Sequence, residues 1–143
     1  MVDGQKLHLH TLNTGVPHAV ELVEELNGCD VVKVGRSVRQ HAHFHPAGTN
    51  MNFAKVIDRR HIAIRTYERG VEEETLACGT GAVASALVSS KLGHTDPPVG
   101  VLTQSGETLQ ISFQELGDQY SDVYLEGDTA LVYEGSMNEE AWI

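Results

Sequence analysis

Gly79-Thr80-Gly81-Ala82-Val83-Ala84-Ser85-Ala86-Leu87-Val88-Ser89-Ser90-Lys91-Leu92 is small and apolar almost all the way round, and Gly93 follows it as a stop. A helix without a broad polar face is buried on most sides. The stretch therefore predicts a helix over 79–92 with other elements packed around it. Downstream, residues 100–104, 108–113, 123–125 and 130–133 read as short strands, punctuated by Ser105-Gly106, Gly117-Asp118 and Glu126-Gly127-Asp128. Upstream, residues 7–13 alternate as a strand, and Thr14-Gly15-Val16-Pro17 reads as a turn into the apolar stretch 18–23. Asp30 stands where it can cap a helix over 31–41, in which Val31, Val34 and Val38 recur at helical spacing. Residues 41–49 read as a loop. Residues 52–57 and 61–67, separated by Asp58-Arg59-Arg60, read as an antiparallel hairpin running into Glu68-Arg69-Gly70. The fold class expected is α+β, with many strands around one encircled helix.

Composition narrows the function. With 143 residues, 41% hydrophobic and 21% charged, the chain is long enough to bury one sizeable core, and one domain over 1–143 is the expectation. Twenty acidic against ten basic side chains give a formal charge of −10, which repels a polyanion unless the bases cluster. They do not. Lys33, Arg36 and Arg39 share a helix, and Arg59, Arg60, Arg65 and Arg69 are strung along the hairpin, so nucleic acid is not an expected partner. The apolar run from Cys78 through Val88 is too short for a membrane span. Met1-Val2-Asp3-Gly4-Gln5-Lys6-Leu7-His8 has neither a charged n-region nor a continuous apolar h-region. A cytoplasmic protein is expected.

The two cysteines, Cys29 and Cys78, lie in unlike surroundings and make no disulfide framework. Cys78 immediately precedes Gly79-Thr80-Gly81 and the helix. The unpaired N–H groups and dipole of a first helical turn favour an anion there. They lower the pKa of a thiol at that point, and the glycines let a substrate carboxylate approach. Abstraction of an α-proton from an amino acid pushes charge into that carboxylate, so donors aimed at its oxygens stabilise the transition state. Proton transfer at carbon is the chemistry suggested. A cysteine in such a turn is equally often a small buried residue, and spacing alone does not choose between the two.

Around this point the sequence resembles diaminopimelate epimerases. Glu68-Arg69-Gly70 followed by Ala77-Cys78-Gly79-Thr80-Gly81 is similar to the family's carboxy-terminal signature. Gly15-Val16-Pro17-His18-Ala19-Val20, Gly48-Thr49-Asn50-Met51-Asn52-Phe53 and the terminal stretch 123–135 are similar to three further family segments, in order. The resemblance covers nearly all of the chain. It implies a protein of two similar domains, each a mixed, strongly curved sheet around a central helix, with the site in the cleft between them. It also implies interconversion of LL- and meso-diaminopimelate without pyridoxal phosphate or metal, by two cysteines on opposite faces of the α-carbon. By resemblance Cys78 is one of the two, and Gly79 and Thr80 offer N–H groups to the reacting carboxylate. Glu68 assists the Cys78 proton and helps hold substrate, Arg69 and Asn50 bind the distal centre, and His18 corresponds to the histidine that assists the other cysteine.

Two departures stand out. Val16 occupies the place of a substrate-contacting Asn, and the amino-terminal domain with its own cysteine is not in these 143 residues. The chain alone is therefore expected not to epimerise, to need that domain in cis or in trans, and to self-associate, as a homodimer for example, through its uncovered apolar face. Cys29 matches no family motif and is expected to pack or lie at the surface. Three rivals remain at this level. One is a binding or dimerisation module that has kept the fold without the catalysis. Another is a related isomerase resembling proline racemases. The third is a metal site at His41, His43 and His45, for which no neighbouring ligand set is visible.

Overall fold

The computed structural model describes Val2, Gly4 and residues 6–142. Met1, Asp3 and Gln5, part of the stretch read against a secretory signal, lie outside the described residues. Strands His10–Asn13 (β1) and Pro17–Leu22 (β2) form an antiparallel hairpin. Gly15 in its turn has φ +103, a conformation that costs a residue without Cβ little. Asp30 caps helix Val31–Arg39 (α1), its carboxylate accepting from the Lys33 N–H at 3.2 Å. The helix ends short of the 31–41 pattern because the His41 N–H bonds back to the Val38 carbonyl and tightens the last turn. The expected loop contains one 3-10 turn, Ala42–Phe44.

Asn50–Asp58 (β3) and His61–Glu68 (β4) make the expected hairpin, but β3 begins earlier than its apolar pattern suggests. The added residues pair in parallel with β2 and set Asn50 beside His18. Glu73–Thr75 (β5), antiparallel to β4, carries no alternation and was not expected. Helix Gly79–Lys91 (α2) agrees with its reading, with Leu92 as C-cap. Val99–Leu102 (β6) runs parallel to β4, and Thr108–Leu116 (β7) with Gln119–Glu126 (β8) forms a hairpin longer than expected. The sheet order is β1-β2-β3-β4-β6-β7-β8, with β5 paired to β4.

One expected strand is absent: residues 130–133 form no strand. Leu131, Val132 and Tyr133 are 82–86% exposed. Preference for strand is mostly a preference for a half-buried pleated surface, and these side chains have no such surface.

The sheet separates two cores. Ala19 and Phe53 pack with Val31 and Val38 of α1, whereas their neighbours Val20 and Ala54 pack with Ala82 and Leu87 of α2. Successive strand residues point to opposite faces, so the helices lie on opposite sides. Strands β1, β2, β3, β4, β6 and β7 all contact α2, which is the encircled helix, buried at Gly81 and Ala82 and again from Ala84 to Ser89. On the other face α1 meets β4 so closely that a Cβ on Gly35 would lie 2.3 Å from the Tyr67 Cβ. Among the described residues no helix is long and apolar enough to cross a membrane.

Candidate active site

Cys78 is the N-cap of α2, in extended conformation at φ −135, ψ 105, and makes no side-chain capping bond. The first helical hydrogen bond runs from the Ala82 N–H to the Cys78 carbonyl at 2.9 Å. The N–H groups of Gly79, Thr80 and Gly81 precede that ladder and form the positive end of the helix dipole. The Cys78 sulfur is 3.6 Å from the Thr80 hydroxyl and 7% of the residue is exposed. Gly79 and Thr80, with Thr14, Val83 and Leu125, line an open cavity of about 640 Å³ that Cys78 itself does not line. The Thr14 hydroxyl donates to the Thr80 carbonyl at 3.2 Å, tying the β1–β2 turn to the helix start.

His18, on β2, is 1% exposed and reaches this helix start. Its Nε2 lies 3.0 Å from the Thr80 Oγ1, and its Nδ1 lies 3.0 Å from the Asn52 Nδ2. Asn52 also donates to the Ala19 carbonyl at 3.1 Å and accepts from the Thr66 hydroxyl at 3.0 Å. Burial first, and the Arg69 charge second, lower the His18 pKa from 6.5 to about 4, because a buried imidazolium loses its hydration. His18 is therefore neutral at physiological pH.

The end of β4 supplies charge. Asn50 is buried, accepts from the Arg69 N–H at 2.7 Å and donates to the Pro17 carbonyl at 3.3 Å. The Arg69 guanidinium donates to the Ala47 carbonyl at 3.0 Å. Neither Arg69 nor the half-buried Glu68 carboxylate has an ion-pair partner among the described residues, unlike Arg39, Arg59 and Arg65, which are paired to Glu72, Asp96 and Glu74. The structure thus joins Cys78, Thr80 and His18 by contact and Asn50 to Arg69 by a hydrogen bond. Glu68 stands one residue from Arg69, and no hydrogen bond links it to Cys78.

Other candidates lie apart. Val16 takes part in the β1–β2 turn, its carbonyl accepting from the Thr14 N–H. Cys29 is half-buried, its thiol donating to the Glu25 carbonyl at 3.3 Å, and burial raises its pKa. His41 accepts from the His43 N–H, His43 packs edge-on against Phe44, and His45 contacts the Gln40 carbonyl, so the three turn to different partners.

Asn52, Thr66 and Gly81 do not stand out in the sequence as site residues, yet all three meet behind Cys78. A Cβ on Gly81 would stand 2.4 Å from the Asn52 Oδ1 and 3.2 Å from the Cys78 sulfur. The one signal is Asn52 itself, a polar amide between Met51 and the apolar pair Phe53-Ala54, where an unpaired buried amide would be costly.

The sequence model of the Diaminopimelate epimerase family matches residues 10–132. The chain is 49% identical over 140 residues to the diaminopimelate epimerase of Aquifex aeolicus, covering 97% of this chain and 49% of that protein. It is 46% identical over 129 residues to that of Chlorobaculum tepidum, covering 90% and 49%. The chain spans about half the length of these curated relatives. Among solved structures it is similar in fold to a phenazine biosynthesis PhzF family protein of Enterococcus faecalis, with TM-score 0.53, 19% identity, and coverage of 73% of this chain and 36% of that one. A PhzF family protein of Bacillus anthracis is similar at TM-score 0.54 and 17% identity, covering 78% and 36%.

Proposed function

The chain belongs to the diaminopimelate epimerase family, and from that premise we propose that residues 1–143 form its carboxy-terminal unit and supply one thiol of a two-thiol inversion of diaminopimelate, a step of lysine biosynthesis. The observation that carries this is Cys78 at the mouth of α2, beside three N–H groups that precede the helical ladder.

The chemistry follows from that arrangement. A substrate carboxylate bound to the Gly79 and Thr80 N–H groups brings its α-carbon to the sulfur. The Cys78 thiolate takes the α-proton from one face as charge moves into the carboxylate, where the helix start stabilises it. A second thiol, on a complementary domain in cis or in trans, returns a proton to the opposite face, and one turnover leaves the two thiols in exchanged protonation states. No cofactor is required in this scheme. Arg69 pairs with the distal carboxylate, Asn50 fixes the Arg69 backbone and the distal contact, and Glu68 assists the Cys78 proton. The lack of a counter-charge for Glu68 and Arg69 among the described residues supports these roles, since a half-buried charge without an ion pair is available to a charged ligand. The Arg69 bond to the Ala47 carbonyl leaves its other donors for one. Exposed Val123, Leu125 and Leu131 support a covering domain.

Incubation with LL-diaminopimelate in deuterated water tests the proposal. The chain alone should give no meso product carrying deuterium at the α-carbon. Joined to the amino-terminal half of the Aquifex aeolicus relative it should give that product, and Cys78→Ser should abolish it. Inversion by the chain alone, or by the Cys78→Ser hybrid, would overturn the proposal. A second reading, a binding or dimerisation module without catalysis, draws on the low exposure of Cys78, 7%. Alkylation by iodoacetamide separates the two, because the module predicts an inert sulfur.

A further inference from the structure

The hydrogen bonds behind Cys78 form a chain whose direction can be worked out from one end. Asn52 has two Nδ2 hydrogens. One goes to the Ala19 carbonyl at 3.1 Å, an oxygen with no hydrogen to offer, and this fixes which side of the amide is nitrogen. Exchanging the amide's oxygen and nitrogen would set two acceptors against each other. The Asn52 Oδ1 is then correctly placed to accept from the Thr66 hydroxyl at 3.0 Å. The other Nδ2 hydrogen points to the His18 Nδ1 at 3.0 Å, which must present a lone pair. A neutral imidazole with a bare Nδ1 carries its proton on Nε2. That Nε2–H donates to the Thr80 Oγ1 at 3.0 Å.

The Thr80 oxygen has now accepted one hydrogen bond, and its own hydrogen is left over. The acceptor in reach is the Cys78 sulfur at 3.6 Å. We propose that Asn52 and His18 are positioning residues which hold the Thr80 hydroxyl with its hydrogen towards the Cys78 sulfur, so that the thiolate receives a charge-assisted hydrogen bond. The opposite imidazole tautomer would draw the Thr80 hydrogen to Nε2 and away from the sulfur. His18, Asn52 and Thr66 are inward-facing residues of β2, β3 and β4 and at most 2% exposed, so water does not compete for the bonds among them. Thr80, by contrast, is exposed on the cavity wall and is the end of the chain that meets solvent. Arg69 is the charged group that acts on His18, and its sign opposes protonation of the ring, which keeps the relay in its neutral form.

This rests on the assignment of Cys78 as an acid–base thiol, and the test is chosen to fail separately from it. In the ¹⁵N-labelled full chain, long-range ¹H–¹⁵N correlations of the His18 ring at pH 7 should show Nε2 protonated and Nδ1 bare. In a Cys29→Ser background, where Cys78 is the remaining thiol, Thr80→Val should slow alkylation by iodoacetamide at neutral pH about tenfold, the effect of losing one hydrogen bond to a charged group. It should also move the midpoint of the pH–reactivity profile upward, and Thr80→Ser should restore both. The nuclear resonance experiment needs no variant, so a variant that does not fold leaves the proposal testable. A ring protonated at Nδ1, or a Thr80→Val profile matching the parent's, overturns the relay. Neither result touches the two-thiol scheme, which fails instead if the hybrid lacking Cys78 still inverts the α-carbon.

Discussion

Gly81 and Asn52 are in contact so close that a methyl group cannot stand between them: a Cβ on Gly81 would lie 2.4 Å from the Asn52 Oδ1. In an exposed helix, exchanging glycine for alanine gains roughly 1 kcal/mol. Here Asn52 is locked by its bonds to His18, Ala19 and Thr66 and cannot yield. Gly81→Ala is expected to destabilise by about 1–3 kcal/mol, the usual cost of overpacking, and to slow alkylation of Cys78 as the helix start shifts. Urea unfolding and thiol reactivity measure the two effects, and a stabilised variant would contradict the contact.

His18 gives the fold a pH dependence of known sign. Its pKa falls from 6.5 in the unfolded chain to about 4 in the folded one, so between those values the unfolded state binds more protons. Stability from this group is complete above about pH 6.5 and is lost as pH falls towards 4. The loss is on the order of 3 kcal/mol, since each tenfold drop in proton affinity on folding is worth about 1.4 kcal/mol. Urea midpoints of the parent and of His18→Gln, compared at pH 7, 5 and 4, should converge at the acid end. Curves that stay parallel would mean that the ring is not buried as neutral.

Arg69 should divide binding from chemistry. In the hybrid enzyme, Arg69→Ala is expected to raise KM for diaminopimelate by about 10–100-fold, the range of a lost charge-assisted contact, with little change in kcat. Removal of its positive charge should also raise the His18 pKa, which ring resonances followed through pH report. A KM unchanged by the substitution would assign the distal carboxylate to another group.

Gly35 is the corresponding test of the outer face. A Cβ there would stand 2.3 Å from the Tyr67 Cβ and 2.6 Å from its Cγ. Gly35→Ala is expected to cost about 1–3 kcal/mol in thermal or urea unfolding. It should leave the reactivity of Cys78 unaltered, because α1 and α2 lie on opposite sides of the sheet.

What could be read from the residues divides along physical lines. Helix α2 was legible because Ala82, Ala84, Ala86 and Val88 leave it no polar face, and α1 because Asp30 sits where a cap is needed. The β3–β4 hairpin was legible from two short runs rich in Val, Ile, Thr and Phe on either side of Asp58-Arg59-Arg60. Strand β5 was not, since Glu73 and Glu74 carry no apolar period, and residues 130–133 misled because apolar composition resembles a strand whether or not a surface exists to receive it. At the site, the position of Cys78 was legible from Gly79-Thr80-Gly81. The bonding of Thr80 to His18 was not, because it joins residues 62 positions apart through the packing of α2 on β2, which leaves no local mark.

Strand β4 is held on both sides: Thr66 and Tyr67 pair with Asn52 and Met51 of β3 and with Thr75 and Glu74 of β5, while the start of the strand pairs with β6. Its far end carries Glu68 and Arg69. Amide hydrogens in such a strand exchange with solvent mainly when the whole molecule opens, so the groups at its tip are anchored in the slowest-exchanging part of the protein. Glu68 and Arg69 are therefore not displaced by local melting of the strand that carries them to the surface.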